Sequence, residues 1–145
     1  MGVEAGSELR FVGVVESALA DKEEAPKQAD EGAPAATLRI APEFAACCEG
    51  LHAGDQVVVL TWLDRADRDV QAVHPRGDTS RPLTGVFATR APVRPNPIGL
   101  HRVGIVAISG GGGEPLALRV DALEALDGTP VLDVKPVLAG EAALR

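Results

Sequence analysis

The sequence predicts an all-β fold: a compact barrel or sandwich of about six or seven short strands with one short helix. Short apolar segments rich in Val, Ile and Leu recur along the chain and are typical of strands. Turn-forming sequences separate them, such as the glycine run from Gly110 to Gly113 and the Asp127-Gly128 pair. Because 145 residues is the length of one domain with its own core, we expect a single domain over residues 1–145.

The individual elements follow from composition and pattern. Residues 56–63 (QVVVLTWL) are apolar and β-branched, which indicates a buried strand. In residues 131–137 (VLDVKPV), apolar and charged side chains alternate as in a strand with one polar face. Residues 42–49 are predicted to form the short helix, since Pro42 suits a first turn and Gly50 a C-terminal stop. The predicted strands are residues 11–15, 37–40, 56–63, 85–89, 100–108, 115–120 and 131–137.

The sequence gives no indication of a membrane or an export signal. No apolar run approaches the roughly 20 residues that a bilayer-spanning helix needs. The first residues, MGVEAGSELR, contain acidic side chains and lack the apolar core of a secretory signal. We therefore expect a cytoplasmic protein without a membrane partner.

Charge is distributed unevenly along the chain. The formal net charge is −7, which repels a polyphosphate partner on average. Residues 64–102, however, contain seven Arg, no Lys and four Asp, a net charge of +3. Arginine binds carboxylates and phosphates with two parallel hydrogen bonds, which lysine cannot do. This segment is therefore the candidate for binding an anionic ligand.

The densest group of chemically special residues lies within that segment, between residues 64 and 99. Pro95 and Pro97 fix the backbone on either side of Asn96. A rigid Asn96 with Arg90 and Arg94 nearby could present fixed hydrogen-bond donors to an anionic or amide-bearing ligand. Loops of this kind on a barrel commonly form the rim of a ligand site.

A second group of carboxylates lies at residues 121–130 (DALEALDGTP), directly after a predicted strand. Such carboxylates could accept hydrogen bonds from ribose hydroxyls or attract a cationic centre. For Asp127 the alternative is ordinary turn chemistry, because Asp-Gly is a typical turn sequence.

Other residues have structural alternatives as well. Asp67 and Arg68 could form a solvated ion-pair surface of little energetic value. His74 could act as an acid or base, or could be a hydrogen-bonded structural residue. The adjacent Cys47 and Cys48 suit neither a disulfide nor a metal site, and the histidines lack metal-ligand spacing. No metal is predicted.

Five sequence strings together resemble the TsaA-like (TrmO-type) family of S-adenosylmethionine-dependent tRNA methyltransferases. They occur in family order from Gly13 to Pro136: GVVES, APKQ, DRADR, HPRGDTSRPLTGVFATRAPVRPNPIGL and DALEALDGTPVLDVKP. The pairing of GVFATR with RPNPIG, followed by LDGTPVLDVKP, is highly specific. The KPY that usually ends the last motif is KPV here, and longer members carry a further C-terminal domain, whereas this sequence ends at Arg145.

The resemblance implies a β-barrel, S-adenosylmethionine as cofactor, and a homodimer with the cofactor near the subunit interface. A barrel agrees with the lack of a glycine-rich dinucleotide motif in the sequence. Matching the motifs residue by residue implies a set of cofactor contacts. These are Gln28, Ala29, Asp30, Asp64, Arg65, Arg90, Leu100, Asp121, Ala122, Leu123 and Glu124.

The resemblance also implies methyl transfer to N6 of adenosine 37 in tRNA. Asp64 or a nearby backbone carbonyl could accept the proton that the amine loses, and the candidate catalytic residues are Asp64, Arg90 and Asn96. Only 3% of the residues are aromatic, so surface for stacking on RNA bases is scarce. Two alternatives therefore stay open: methylation of a small-molecule acceptor, and a non-catalytic regulatory module that binds S-adenosylmethionine.

Overall fold

The computed structural model describes residues 7–18 and 35–141, which contain eight strands and three 3-10 helices. The predicted all-β class is confirmed. The strands are β1 (Gly13–Glu16), β2 (Ala36–Ile40), β3 (Gln56–Trp62), β4 (Ala72–Val73), β5 (Thr84–Gly85), β6 (Ile98–Gly110), β7 (Leu116–Val120) and β8 (Pro130–Pro136).

Six of these strands form a closed antiparallel barrel in the order β1-β2-β7-β6-β3-β8. The thirteen-residue β6 is shared between two neighbours: Ile98 to Gly104 pair with β3, and Ile105 to Gly110 pair with β7. The short β1 closes the barrel with four residue pairs to β2 and two to β8. Gly13 is required there, because a Cβ would lie 2.3 Å from the Arg39 carbonyl oxygen.

The barrel interior is filled by the inward-facing residues of every strand. Its core cluster consists of Val, Leu, Ile and Ala side chains. Leu123 and Ala125, from the β7–β8 connection, are also buried and cover one end of the interior. The most buried core side chains are Val15, Leu38, Val57, Val59, Leu118, Val120, Leu123 and Val131.

Two segments differ from their predicted structure. The helix predicted at residues 42–49 is a 3-10 helix, Pro42–Cys48, with no fully buried residue. The strand predicted at residues 85–89 is instead the end of β5 followed by a 3-10 turn, Val86–Ala88. Val86 alone is buried in this turn, so the apolar VFA sequence does not face a sheet.

Three connections leave their strands in the same direction. Because all pairings are antiparallel, β1, β3 and β7 run opposite to β2, β6 and β8, so the connections β1–β2, β3–β6 and β7–β8 share this direction. The strands are staggered, however: the carboxyl end of β7 pairs with Ile105, seven residues into β6. The three connections carry every site residue predicted from the sequence except Leu100, which lies within β6.

Candidate functional site

The long β3–β6 connection is fixed to the barrel by Arg68. Its Nε donates a hydrogen bond to the Pro95 carbonyl at 2.7 Å, and its Nη2 donates to Asn96 Oδ1 at 3.0 Å. The same guanidinium lies 5.2 Å from the ring centre of Trp62, the last residue of β3. One cation thus joins the start of the loop, the end of a strand and the proline-flanked asparagine. This differs from the ion-pair surface considered for Asp67 and Arg68.

Arg94 stabilises the second half of this connection. Its Nη1 donates to the carbonyls of Thr89 at 2.9 Å and Ala91 at 3.0 Å, and its guanidinium lies 5.9 Å from the Phe87 ring centre. Its backbone N–H donates to the Asp67 carbonyl at 3.2 Å. The structure therefore gives Arg94 a role inside the loop rather than the ligand contact expected from the sequence.

Asp64 and Arg90 differ from these clamped residues. Both side chains are exposed, and neither makes a hydrogen bond or ion pair within residues 7–18 and 35–141. Asp64 is positioned by its backbone N–H, which donates to the Trp62 carbonyl at 2.9 Å. A carboxylate and a guanidinium with all their hydrogen-bonding capacity available, on a rigid loop, are suited to bind a polar ligand. Arg65, next to Asp64, is also exposed.

The third candidate catalytic residue, Asn96, is exposed but partly engaged. Its Oδ1 accepts the hydrogen bond from Arg68, which fixes the orientation of the side-chain amide. The amide NH₂ group is then the part that can donate to a ligand.

Thr61 and His101 form a polar pair inside the barrel, near the end of the ladder where Trp62 pairs with Ile98. Thr61 Oγ1 and His101 Nε2 are 2.8 Å apart, and Thr61 is fully buried. Gly99 makes room for them, since a Cβ there would lie 2.4 Å from Thr61 Oγ1 and 2.7 Å from His101 Nε2. Burial lowers the pKa of His101 to about 4, so its imidazole is neutral at neutral pH.

Fewer side chains of the β7–β8 connection are available to a ligand than its sequence suggests. The Asp121 carboxylate accepts the Gly104 N–H at 2.9 Å, and the Asp127 carboxylate accepts the Ser17 N–H at 3.0 Å. Leu123 is 0% exposed and belongs to the core, so only its backbone is available to a ligand. Ala122 and Glu124 are half-buried. Asp127 and Gly128 also form a turn, with Gly128 at a φ of 85°, which agrees with the alternative considered for Asp127.

The structure does not bring all the predicted contacts together within one chain. Asp121 lies beside Gly104, whereas Asp64 lies beyond Trp62, which pairs with Ile98 at the other end of the β3–β6 ladder. Six residues of extended strand separate these points, a distance of about 20 Å. Leu100 lies on the outer face of β6, opposite Leu60 and 36% exposed. Gln28, Ala29 and Asp30 lie outside the described residues.

The surface has two depressions near these residues, one between β1 and β2 and one on the outer wall of the barrel. A polar groove of ≈ 600 Å³ is lined by the end of β1, the start of β2, Arg119 and Asp127. A more apolar depression of ≈ 460 Å³ on the outer wall is lined by Val58, Leu60, Leu100, Lys135, Pro136, Leu138 and Glu141. Neither is lined by Asp64, Arg65 or Arg90.

The sequence did not predict three features of the site. These are the hydrogen bonds that Arg68 makes to Pro95 and Asn96, those that Arg94 makes to Thr89 and Ala91, and the Thr61–His101 pair. A partial signal existed for the last, because Gly99, His101 and Val103 alternate along β6 and so face the interior together. The Arg68 clamp has no local signal, since Arg68 and Asn96 are 28 residues apart. His74, by contrast, has the structural role considered for it: its Nδ1 donates to the Arg81 carbonyl at 2.9 Å.

Residues 14–140 match the family model of the tRNA-methyltransferase O N-terminal domain, abbreviated TrmO_N. The chain belongs to the TrmO family. The resemblance of the sequence strings to TsaA-like, TrmO-type proteins is thereby confirmed. None of the helices in the described residues has the length and apolar character of a membrane-crossing helix.

Relatives of this TrmO-family chain include proteins named for cofactor binding. It is 43% identical over 128 residues to a "Probable S-adenosyl-L-methionine-binding protein" of Methanothermobacter thermautotrophicus, covering 88% of each chain. It is 40% identical to an "S-adenosyl-L-methionine-binding protein" of Archaeoglobus fulgidus, covering 88% of this chain and 86% of that one. The crystal structure of TrmO from Pseudomonas aeruginosa superposes with a TM-score of 0.72 at 30% identity. This chain is 95% covered in that comparison but spans only 59% of the Pseudomonas chain.

Proposed function

We propose that this protein is an S-adenosylmethionine-dependent methyltransferase that methylates tRNA at N6 of adenosine 37. The observation that carries the proposal is that Asp64 and Arg90, on a loop bonded to a TrmO-family barrel, are exposed and make no side-chain hydrogen bond or ion pair within residues 7–18 and 35–141. The cofactor is S-adenosylmethionine: curated relatives that align over most of this chain are named for binding it.

The chemistry of the available residues fits this cofactor. S-adenosylmethionine presents a carboxylate, an ammonium group, ribose hydroxyls and a sulfonium centre. Arg90 would bind the carboxylate or another anionic group, because its guanidinium is exposed and unpartnered within the described residues. The carboxylates of Asp64 and Asp121 would accept ribose hydroxyls or lie near the cationic centre. Arg65 would add a second positive charge beside Asp64.

The bound cofactor supplies an activated methyl group with a good leaving group. What the chain must add is alignment of the acceptor and exclusion of water. The Arg68 clamp provides alignment, because it fixes the Asn96 amide and the backbone of the proline-flanked turn before any ligand arrives. An exocyclic amine loses a proton when it is methylated, and the exposed Asp64 carboxylate is the group that would accept it.

The proposed assembly is a homodimer. Within one chain Asp121 lies about 20 Å of strand away from the Trp62 end of the ladder, which is too far for both ends to serve one small ligand. A second chain could supply the missing contacts. The outer face of β3, β6 and β8 is suited to pairing, since its depression is lined by Val58, Leu60, Leu100 and Leu138.

Sedimentation velocity tests the dimer with two variants of β6. Leu100→Lys places a charge in the apolar depression and is expected to yield monomers. Val106→Lys is the matched control: Val106 is 53% exposed on the same strand but does not line the depression. A wild-type chain that sediments as a monomer at micromolar concentration would contradict the assembly.

Methyl transfer is tested with labelled S-adenosylmethionine and bulk tRNA from a strain that lacks the gene. We expect label in tRNA, and N6-methylated adenosine by nucleoside mass spectrometry. Affinity for tRNA should fall steeply with salt if the +3 segment contacts phosphates. A tRNA acceptor would place the enzyme in the cytoplasm, which stays a prediction.

Two other functions have specific support and distinct outcomes in the same assay. The net charge of −7 favours a small-molecule acceptor, and label would then appear in metabolites and not in RNA. The names of the relatives state binding without a reaction, which favours a regulatory module, and binding would then occur without transfer.

A further inference from the structure

Phe87 is the most exposed large apolar side chain of the described residues, at 81%. It belongs to the 3-10 turn Val86–Ala88 within the GVFATR string. An exposed phenylalanine gains nothing from hydrophobic burial, and the chain contains only three. The hydrophobic core therefore gains little from this side chain, and most of its surface is accessible to a partner.

The turn that displays Phe87 is firmly held. Val86 is buried, and its N–H donates to the Gln71 carbonyl at 2.9 Å. The Thr89 hydroxyl donates to the Val86 carbonyl at 3.0 Å and accepts the Ala91 N–H at 3.1 Å. The ring is thus presented by a rigid scaffold and not by a loosely attached loop.

Arg94 defines one side of the ring. Its guanidinium lies 5.9 Å from the ring centre and is itself held by the Thr89 and Ala91 carbonyls. With 81% of the residue still exposed, the remaining ring surface is open to a flat partner. The ring therefore lies beside a fixed cation, in a segment of net charge +3. Sites that stack on nucleobases combine an aromatic ring with positive charge in this way.

We propose that Phe87 stacks on an unpaired base of the RNA acceptor and positions it for methylation. The inference rests on the proposed RNA substrate and names the side chain that binds its base. The alternative source of a flat ring is the adenine of the cofactor. Small-ligand sites bury most of their ligand in a concave pocket, whereas Phe87 lies outside both depressions and is almost fully exposed. Unpaired RNA bases, by contrast, stack on open aromatic surfaces.

The test uses the full chain, S-adenosylmethionine, and an RNA hairpin with 2-aminopurine at one unpaired loop position. Phe87→Leu keeps the apolar volume and removes the π-face, whereas Phe87→Trp keeps a π-face. Phe11→Leu is the matched control, because Phe11 is also exposed, at 51%, but lies outside the arginine-rich segment. Because Phe87 is not part of the core, its replacement leaves the fold intact.

We expect Phe87→Leu to bind the hairpin about tenfold more weakly, with a loss of 2-aminopurine quenching. The RNA KM should rise, while calorimetric affinity for S-adenosylmethionine stays unchanged. Phe87→Trp should restore binding, and Phe11→Leu should match the wild type. The inference fails if Phe87→Leu binds the hairpin like the wild type, or if it loses cofactor affinity, which would place the ring against the cofactor. A wild-type protein that binds no RNA overturns the proposed acceptor and this inference together; the other outcomes leave the acceptor intact.

Discussion

Arg90→Ala is expected to bind S-adenosylmethionine about 10- to 100-fold more weakly than the wild type. A charge-assisted hydrogen bond to a carboxylate contributes about 1.5–3 kcal/mol, and Arg90 has no internal partner in the described residues to compensate for the loss. Isothermal titration calorimetry measures the effect directly. Stability should change little, because the side chain is exposed and makes no hydrogen bond or ion pair within the described part of the chain.

The matched control for Arg90→Ala is Arg10→Ala. Arg10 is also exposed, but its guanidinium lies 5.7 Å from the Phe44 ring centre, and Arg10 precedes β1 and so lies outside the connections that carry the predicted site residues. It should retain wild-type cofactor affinity. If Arg90→Ala also retained it, Arg90 would not contact the cofactor, and the carry-over of this residue from the family motif would be wrong.

Stability is expected to fall by about 3 kcal/mol as the pH is lowered from 6.5 towards 4. Burial lowers the pKa of His101 to about 4, whereas an unfolded chain has a histidine pKa near 6.5. Above pH 6.5 both states carry a neutral His101, and the group makes no pH-dependent contribution. Between the two pKa values the unfolded state binds the proton and the folded state does not, so the free energy of unfolding decreases.

Urea denaturation at pH 7.0, 5.5 and 4.5 measures this dependence. His101→Gln removes the titrating group and should flatten the profile, even if it lowers stability at every pH through the changed contact with Thr61. An unaltered slope in His101→Gln would show that other groups cause the acid sensitivity.

The strands could be predicted from the sequence because most of them are encoded locally. Residues 56–63 and 131–137 were predicted within one residue of β3 and β8, since uninterrupted or alternating apolar patterns hardly fit another structure. Residues 85–89 were predicted wrongly, because GVFAT has strand-like composition but pairs only as far as Gly85. A strand-like composition gives a strand only where a neighbouring strand pairs with it, and the two-residue β4 pairs no further than Gly85.

The sequence predicted which segment carries the candidate site, but not which of its residues bind a ligand and which stabilise the loop. Proline and arginine in the β3–β6 connection indicated a stiff, cationic loop, and Arg90 fits that interpretation. Nothing local distinguishes Arg90 from Arg68 and Arg94, however, because their roles depend on which carbonyls and rings lie within reach after folding. Likewise, Leu123 resembles its neighbours in the DALEAL string, and only the closed barrel shows that its side chain is covered.

Arg68 links the proline-flanked Asn96 to Trp62, and this link affects the thermodynamics of ligand binding. Because Arg68 bonds the Pro95 carbonyl and the Asn96 side chain within the folded chain, part of the ordering of this turn takes place during folding and not upon encounter with a ligand. Association at this surface should therefore proceed without a slow rearrangement of the loop, and affinity should depend mainly on how fast the complex separates.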